Sequence, residues 1–138
     1  MSLMRIGHII ALLAFGLTSC SQQNSKICSV NYTSFDSEKA SWSEKADKCI
    51  QEWAYRLALS SESSDRVADA TMAACSMAVE MSVAGAHGQE FKDQVNVGAT
   101  PAEATNAAND SENDLRGYLK QQALFRVIQA RAGHCDVP

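Results

Sequence analysis

After about residue 40, apolar positions recur along this chain at helical spacing. Trp42, Ala46, Cys49, Trp53 and Leu57 lie three or four residues apart on one stripe of a 3.6-residue period. Ile50, Ala54 and Ala58 widen the stripe, and Glu38, Glu44, Lys45, Lys48 and Glu52 fall largely off it. This pattern predicts a first helix over about 36–59. Ser41 with Glu44 three residues on forms a capping box, which would start the helix at Ser41 after a separate turn. The serine-rich run 60–64 ends it and caps the next helix, with Ser63 or Ser64 as N-cap and Asp65 favourable in the first turn. A second helix is predicted over about 65–84, on a stripe of Ala68, Met72, Cys75, Val79 and Ser82. Alanines at 70, 73, 74 and 78 keep its surface low, and Gly85 and Gly88, flanking Ala86-His87, supply its stop.

Residues 85–100 are the least regular stretch, with Phe91, Val95 and Val97 as a short helix or an extended segment. Thr100-Pro101-Ala102-Glu103 is a strong helix start: threonine as N-cap, proline first, glutamate third. The alanine-rich piece that follows lacks a large apolar side chain until Leu115, so a break at Asn109–Asp114 is expected. A last helix is predicted over about 112–132, with Leu115, Leu119, Ala123, Val127 and Ala130 on one stripe and Leu124 and Ile128 beside it. Gly133 ends it. No stretch shows a strand's period-two alternation, and there is no internal repeat. The expected fold is all-α: a three- or four-helix up-down bundle.

The cysteines add staples to that bundle. If the turn between the first two helices centres near Glu62, antiparallel residues at one height have numbers summing to about 124, which sets Cys49 level with Cys75. Alanine-lined helices approach closely enough for the roughly 4.4–6.8 Å between Cα atoms that a disulfide needs. Cys28 is then left to Cys135, tying the start of the domain to its end. The rival pairing, Cys28 with Cys49 and Cys75 with Cys135, would need the N-terminal segment to fold back along the first helix.

The fifth cysteine belongs to a different pattern. Arg5 is followed by an apolar run from Ile9 to Leu17, interrupted by Gly16, which at about nine residues is too short for a ~30 Å hydrocarbon core but has the proportions of a signal-peptide core. The run closes in Leu17-Thr18-Ser19-Cys20, which resembles the lipobox of bacterial lipoproteins. The resemblance implies cleavage before Cys20, diacylation of its thiol and acylation of its freed amine by a fatty acid such as palmitate. Two or more chains make a stable anchor where one is marginal. Ser21 in place of aspartate after the lipidated position favours the outer membrane by the sorting rule of enteric bacteria. The chain then divides into a signal peptide (1–19), a lipidated tether (20–26) and a helical domain (27–138). Removing Cys20 turns five cysteines into an even four, as expected of a small exported domain with structural disulfides.

Composition narrows the function classes. At 138 residues the chain has room for one modest core. Its formal charge is −4, near −5 without Arg5, with mixed signs and no basic face, so no nucleic-acid partner is expected. His87 between glycines and His134 beside Cys135 lack metal-ligand spacing. No Ser-His-Asp set, phosphate loop or paired carboxylates stand out, so no catalytic residue, metal or cofactor is assigned. Trp53-Ala54-Tyr55-Arg56-Leu57-Ala58, with Val67-Ala68-Asp69-Ala70 and Ala73-Ala74-Cys75, resembles small exported helical proteins of proteobacteria that have no assigned function. The expected role is non-enzymatic: binding, including inhibitor- or immunity-like binding of an envelope protein, or envelope structure. The alternative is a small-ligand or metal-binding periplasmic protein using a loop around His87. Exposed aromatics among Tyr55, Phe91 and Tyr118 would favour a partner.

Overall fold

The computed structural model describes Cys28 and residues 38–135. The signal-like run, Cys20 and the tether, and the apolar contacts expected of Ile27, Val30 and Tyr32, lie outside the described residues. Four helices follow in order, α1 (Trp42–Leu57), α2 (Ser64–Ala74), α3 (Ser76–Asn96) and α4 (Pro101–Arg131), with no strand among the described residues. The chain is an all-α bundle stapled by two disulfides.

Local chemistry sets the helix starts. At α1 the Ser41 hydroxyl accepts from the Glu44 amide while the Glu44 carboxylate accepts from the Ser41 amide at 2.7 Å. At α2 the Ser63 hydroxyl accepts from the Arg66 amide. Thr100 and Glu103 repeat the reciprocal box at α4, where Pro101 fills a first-turn position that needs no N–H. Gly98 and Gly133 take positive φ, +94° and +78°, and turn the chain after α3 and α4.

Three of the expected boundaries are wrong. The helix predicted over 65–84 is two helices, bent by 77° at Cys75. Cys75 has φ −98° and ψ 11°, and its amide still bonds back to Thr71. Gly85 and Gly88 do not end the second segment: α3 runs through both to Asn96, so the expected irregular stretch is mostly helix. Asn109–Asp114 likewise interrupts nothing, since α4 is continuous for 31 residues. Tertiary contact overrides weak local propensity here. Ala104 and Ala108 are fully buried, giving the alanine-rich turns a packed face that their own side chains could not signal.

Helix α4 is the spine and touches the other three helices. Its partners run backwards in sequence as it advances: Arg116 meets Glu80, Lys120 meets Asp69, and Arg131 meets the turn after α1. One core cluster joins Ala46, Ile50, Ala68, Cys75, Val79, Val83, Leu119 and Ala123; the other joins Cys28, Ala54, Tyr55, Ala58, Val67, Val127 and Ala130. The buried face of α1 is therefore rotated from the predicted stripe. Its centre is Ala46-Ile50-Ala54-Ala58, Trp53 and Leu57 are half-buried at its margin, and Trp42 is exposed. Small residues sit innermost because helices held by a disulfide approach too closely for indole rings between them.

Both staples follow the pairing derived from the helical register. Cys49 joins Cys75 with Cα atoms 5.7 Å apart, and Cys28 joins Cys135 at 5.0 Å. The rival connectivity is not formed.

Candidate functional site

Where α1 begins, its N-terminal residues meet the middle of α3 at an open groove of ≈ 390 Å³, lined by Ser41, Trp42, Ser43, Met81, Ser82, Gly85, Ala86 and Leu115. Its walls carry neither histidine nor carboxylate, and they are mainly apolar. Lys45 lies over the Trp42 ring, 4.6 Å from its centre, which leaves one indole face covered by a cation. Among the described helices, only α3 and α4 continue past this level, for about 16 Å of α3 beyond Ala86.

That two-helix extension carries the charge of the molecule. Residues 86–115 hold six carboxylates, Glu90, Asp93, Glu103, Asp110, Glu112 and Asp114, against one cation, Lys92. The net of −5 equals that of the whole chain after Cys20, so the remainder is balanced. At its base Arg116 grips Glu80 with both guanidinium nitrogens at 2.6 Å and also holds Glu112 at 3.0 Å. The hydrogen bonds from Arg116 hold the Glu80 carboxyl below its usual range. Glu44 and Glu103 are lowered too, Glu44 first by the Ser41 amide and Glu103 first by the Thr100 hydroxyl.

The opposite end is tied down instead. Arg131 donates to the Ala58, Ser60 and Glu62 carbonyls and to the Ser64 hydroxyl, closing the α1–α2 turn against the end of α4. The Cys28–Cys135 staple sits at this end.

The residues singled out in the sequence are dispersed. Cys20 lies outside the described residues, and the other four cysteines are consumed in disulfides. His87 stands half-buried inside α3, so no loop surrounds it, and His134 is exposed in the turn after α4, its amide bonded to the Gln129 carbonyl. No group of three or more His, Cys, Asp or Glu among the described residues could hold a metal ion. Of the three aromatics whose exposure would favour a partner, Tyr55 is buried in the core at 2% exposure and Phe91 is half-buried. Tyr118 is exposed, and Phe125 and Ile128 share the outer face of α4 with it. The helical stripe of α4 sets Ile128 beside the core and leaves Phe125 without a place. The available signal was excess: residues 115–130 hold more large apolar side chains than one stripe accommodates.

No single described helix is long and apolar enough to cross a membrane. No protein-family model, curated protein or solved structure matches the chain.

Proposed function

We propose that this chain is a bacterial lipoprotein anchored through acylated Cys20 in the outer membrane, its helical domain facing the periplasm. Its role there is non-enzymatic: it binds an envelope partner, as inhibitors and immunity proteins do, or serves as an envelope structural element. The observation that carries the anchor is the cysteine accounting. Four cysteines pair in two disulfides, which leaves Cys20, at the end of the lipobox-like Leu17-Thr18-Ser19-Cys20, as the odd thiol of the sequence. Disulfides of this number suit an oxidising compartment beyond the inner membrane.

The binding reading is supported by surface character. The groove beside Trp42 is open, mainly apolar and has no titratable wall. Two disulfides, one at the end of α4 and one in the middle of α1, hold the frame of this groove, which lowers the ordering cost of association. Mass spectrometry of the membrane-extracted protein tests the anchor: the mature N-terminus is acylated Cys20, and any other N-terminus refutes it. Crosslinking in intact envelopes followed by reciprocal pull-down tests the binding role, with Trp42→Ala expected to weaken capture. Capture by this variant equal to that by the parent chain would leave the structural role.

A further inference from the structure

We propose that the outer face of α4 near its C-terminal end, centred on Phe125 and Ile128, rests on the bilayer that holds the acylated N-terminus, with the acidic α3–α4 end directed away from it. This rests on the lipid-anchor reading above.

The tether supplies the first reason. Eight residues separate Cys20 from Cys28, reaching at most about 29 Å, whereas α4 is about 46 Å long. Cys28 is bonded to Cys135, four residues past the last residue of α4. The C-terminal end of α4 is thus the part of the domain held within reach of the membrane.

The face supplies the second. Tyr118, Phe125 and Ile128 are 56%, 50% and 51% exposed on one side of α4, interspersed with Gln121 and Gln122. The stretch contains three cations, yet none is presented there. Lys120 is engaged by Asp69 at 2.7 Å, Arg126 is buried at 8% exposure, and Arg131 is spent on the α1–α2 turn. A charge-free apolar surface with an aromatic two to three turns above suits the interface between headgroups and acyl chains. Three such side chains fall well short of the ~800 Å² per partner of a stable protein interface, which argues against a second copy as the occupant.

Charge supplies the third. The net −5 of residues 86–115 lies at the end away from the staple, and anionic headgroups repel it. Adhesion at one end and repulsion at the other give the domain one orientation on the membrane.

The test places the photo-crosslinker benzoylphenylalanine at 125, at 128 and, as control, at Val97 on the far end, which is 81% exposed. The acylated full chain is reconstituted in vesicles of phosphatidylethanolamine and phosphatidylglycerol. Phospholipid adducts are expected at 125 and 128 and absent at 97. Adducts to a second copy at 125, or no lipid adduct there on a chain whose Cys20 acylation is verified by mass, overturn the proposal. Should Cys20 prove unacylated in the cell, the anchor reading fails on its own. The face is then tested on the chain coupled through Cys20 to a synthetic lipid, where absence of lipid adducts at 125 refutes it.

Discussion

Cys49, in the middle of α1, is bonded to Cys75, the residue at which α2 ends and α3 begins. The bend of 77° there has no proline or glycine to cause it, and the flanking alanines favour an uninterrupted helix. The bend is held from outside the segment, by the disulfide and by α4.

Removing that bond destabilises the domain by an amount that grows with the logarithm of the loop it closes. In the chain-entropy model a separation of 26 residues corresponds to about 3.5 kcal/mol. Cys49→Ala with Cys75→Ala should lower the urea-unfolding free energy by about that much. Spin labels on α2 and α3 should report a wider spread of interhelical distances. An unchanged distance distribution would show that packing against α4 alone sets the bend.

The part of this fold legible in the sequence is the part written in short-range chemistry. The Ser41–Glu44 and Thr100–Glu103 boxes, the Ser63 cap and the turn at Gly133 all occur where their residue types place them. The Cys49–Cys75 pairing was legible because helical register is arithmetic. What could not be read was set by distant partners. The core of α1 centres on Ile50 and alanines rather than on Trp42 and Trp53, because closeness of approach, not side-chain size, decides which face goes inward. Tyr55 gave no sign of burial, since it lies opposite the cysteine stripe. The groove between Ser41–Ser43 and Met81–Ala86 depends on where α1 starts relative to a helix whose full length the glycines concealed.

Acid should weaken the fold through the depressed carboxylates. Glu80, Glu44 and Glu103 are all held below the usual 4.5 by hydrogen bonds made in the folded state. A carboxyl lowered on folding contributes stability that is present above 4.5 and lost as pH falls through its folded value. Urea midpoints should therefore hold near neutrality and decline below about pH 4.5. Glu80→Gln should make that decline shallower and reduce the salt sensitivity of stability at pH 7, because the Arg116 pair is exposed and screened. On the alkaline side the Lys120–Asp69 pair acts with the opposite sign. Lys120 is raised above 10.5, so its contribution is complete below that value and is lost at higher pH.

Arg131 should resist conservative replacement. Its planar guanidinium reaches three carbonyls and one hydroxyl around the α1–α2 turn, at 2.6 to 3.0 Å. A lysine has one nitrogen for that array. Arg131→Ala should cost about 1–2 kcal/mol, the range for a partly exposed charge-assisted site, and Arg131→Lys should recover less than half of it. Full recovery by lysine in chemical denaturation would reduce the site to a point charge.

The glycines separate the two accounts of α3 most directly. Gly85 and Gly88 lie inside the helix, and a Cβ built on either meets nothing within 4 Å. Gly98 and Gly133 have positive φ, where a side chain is strained whatever the space. If α3 runs to Asn96, Gly85→Ala and Gly88→Ala each stabilise the protein by about 0.5–1 kcal/mol, because alanine loses less backbone entropy in a helix. Gly98→Ala and Gly133→Ala destabilise it by about 1 kcal/mol, since each turn needs the left-handed region. The contrast is one of sign. Were the helix to stop at Gly85, as the sequence alone suggests, Gly85→Ala would instead lower the urea midpoint in the manner of Gly98→Ala. Gly85 also lines the groove beside Trp42, so its added methyl narrows that surface while strengthening the helix beneath it. Weaker partner capture by a Gly85→Ala protein of raised stability, with Gly88→Ala capture unchanged, would assign binding to the groove and rule out unfolding as the cause.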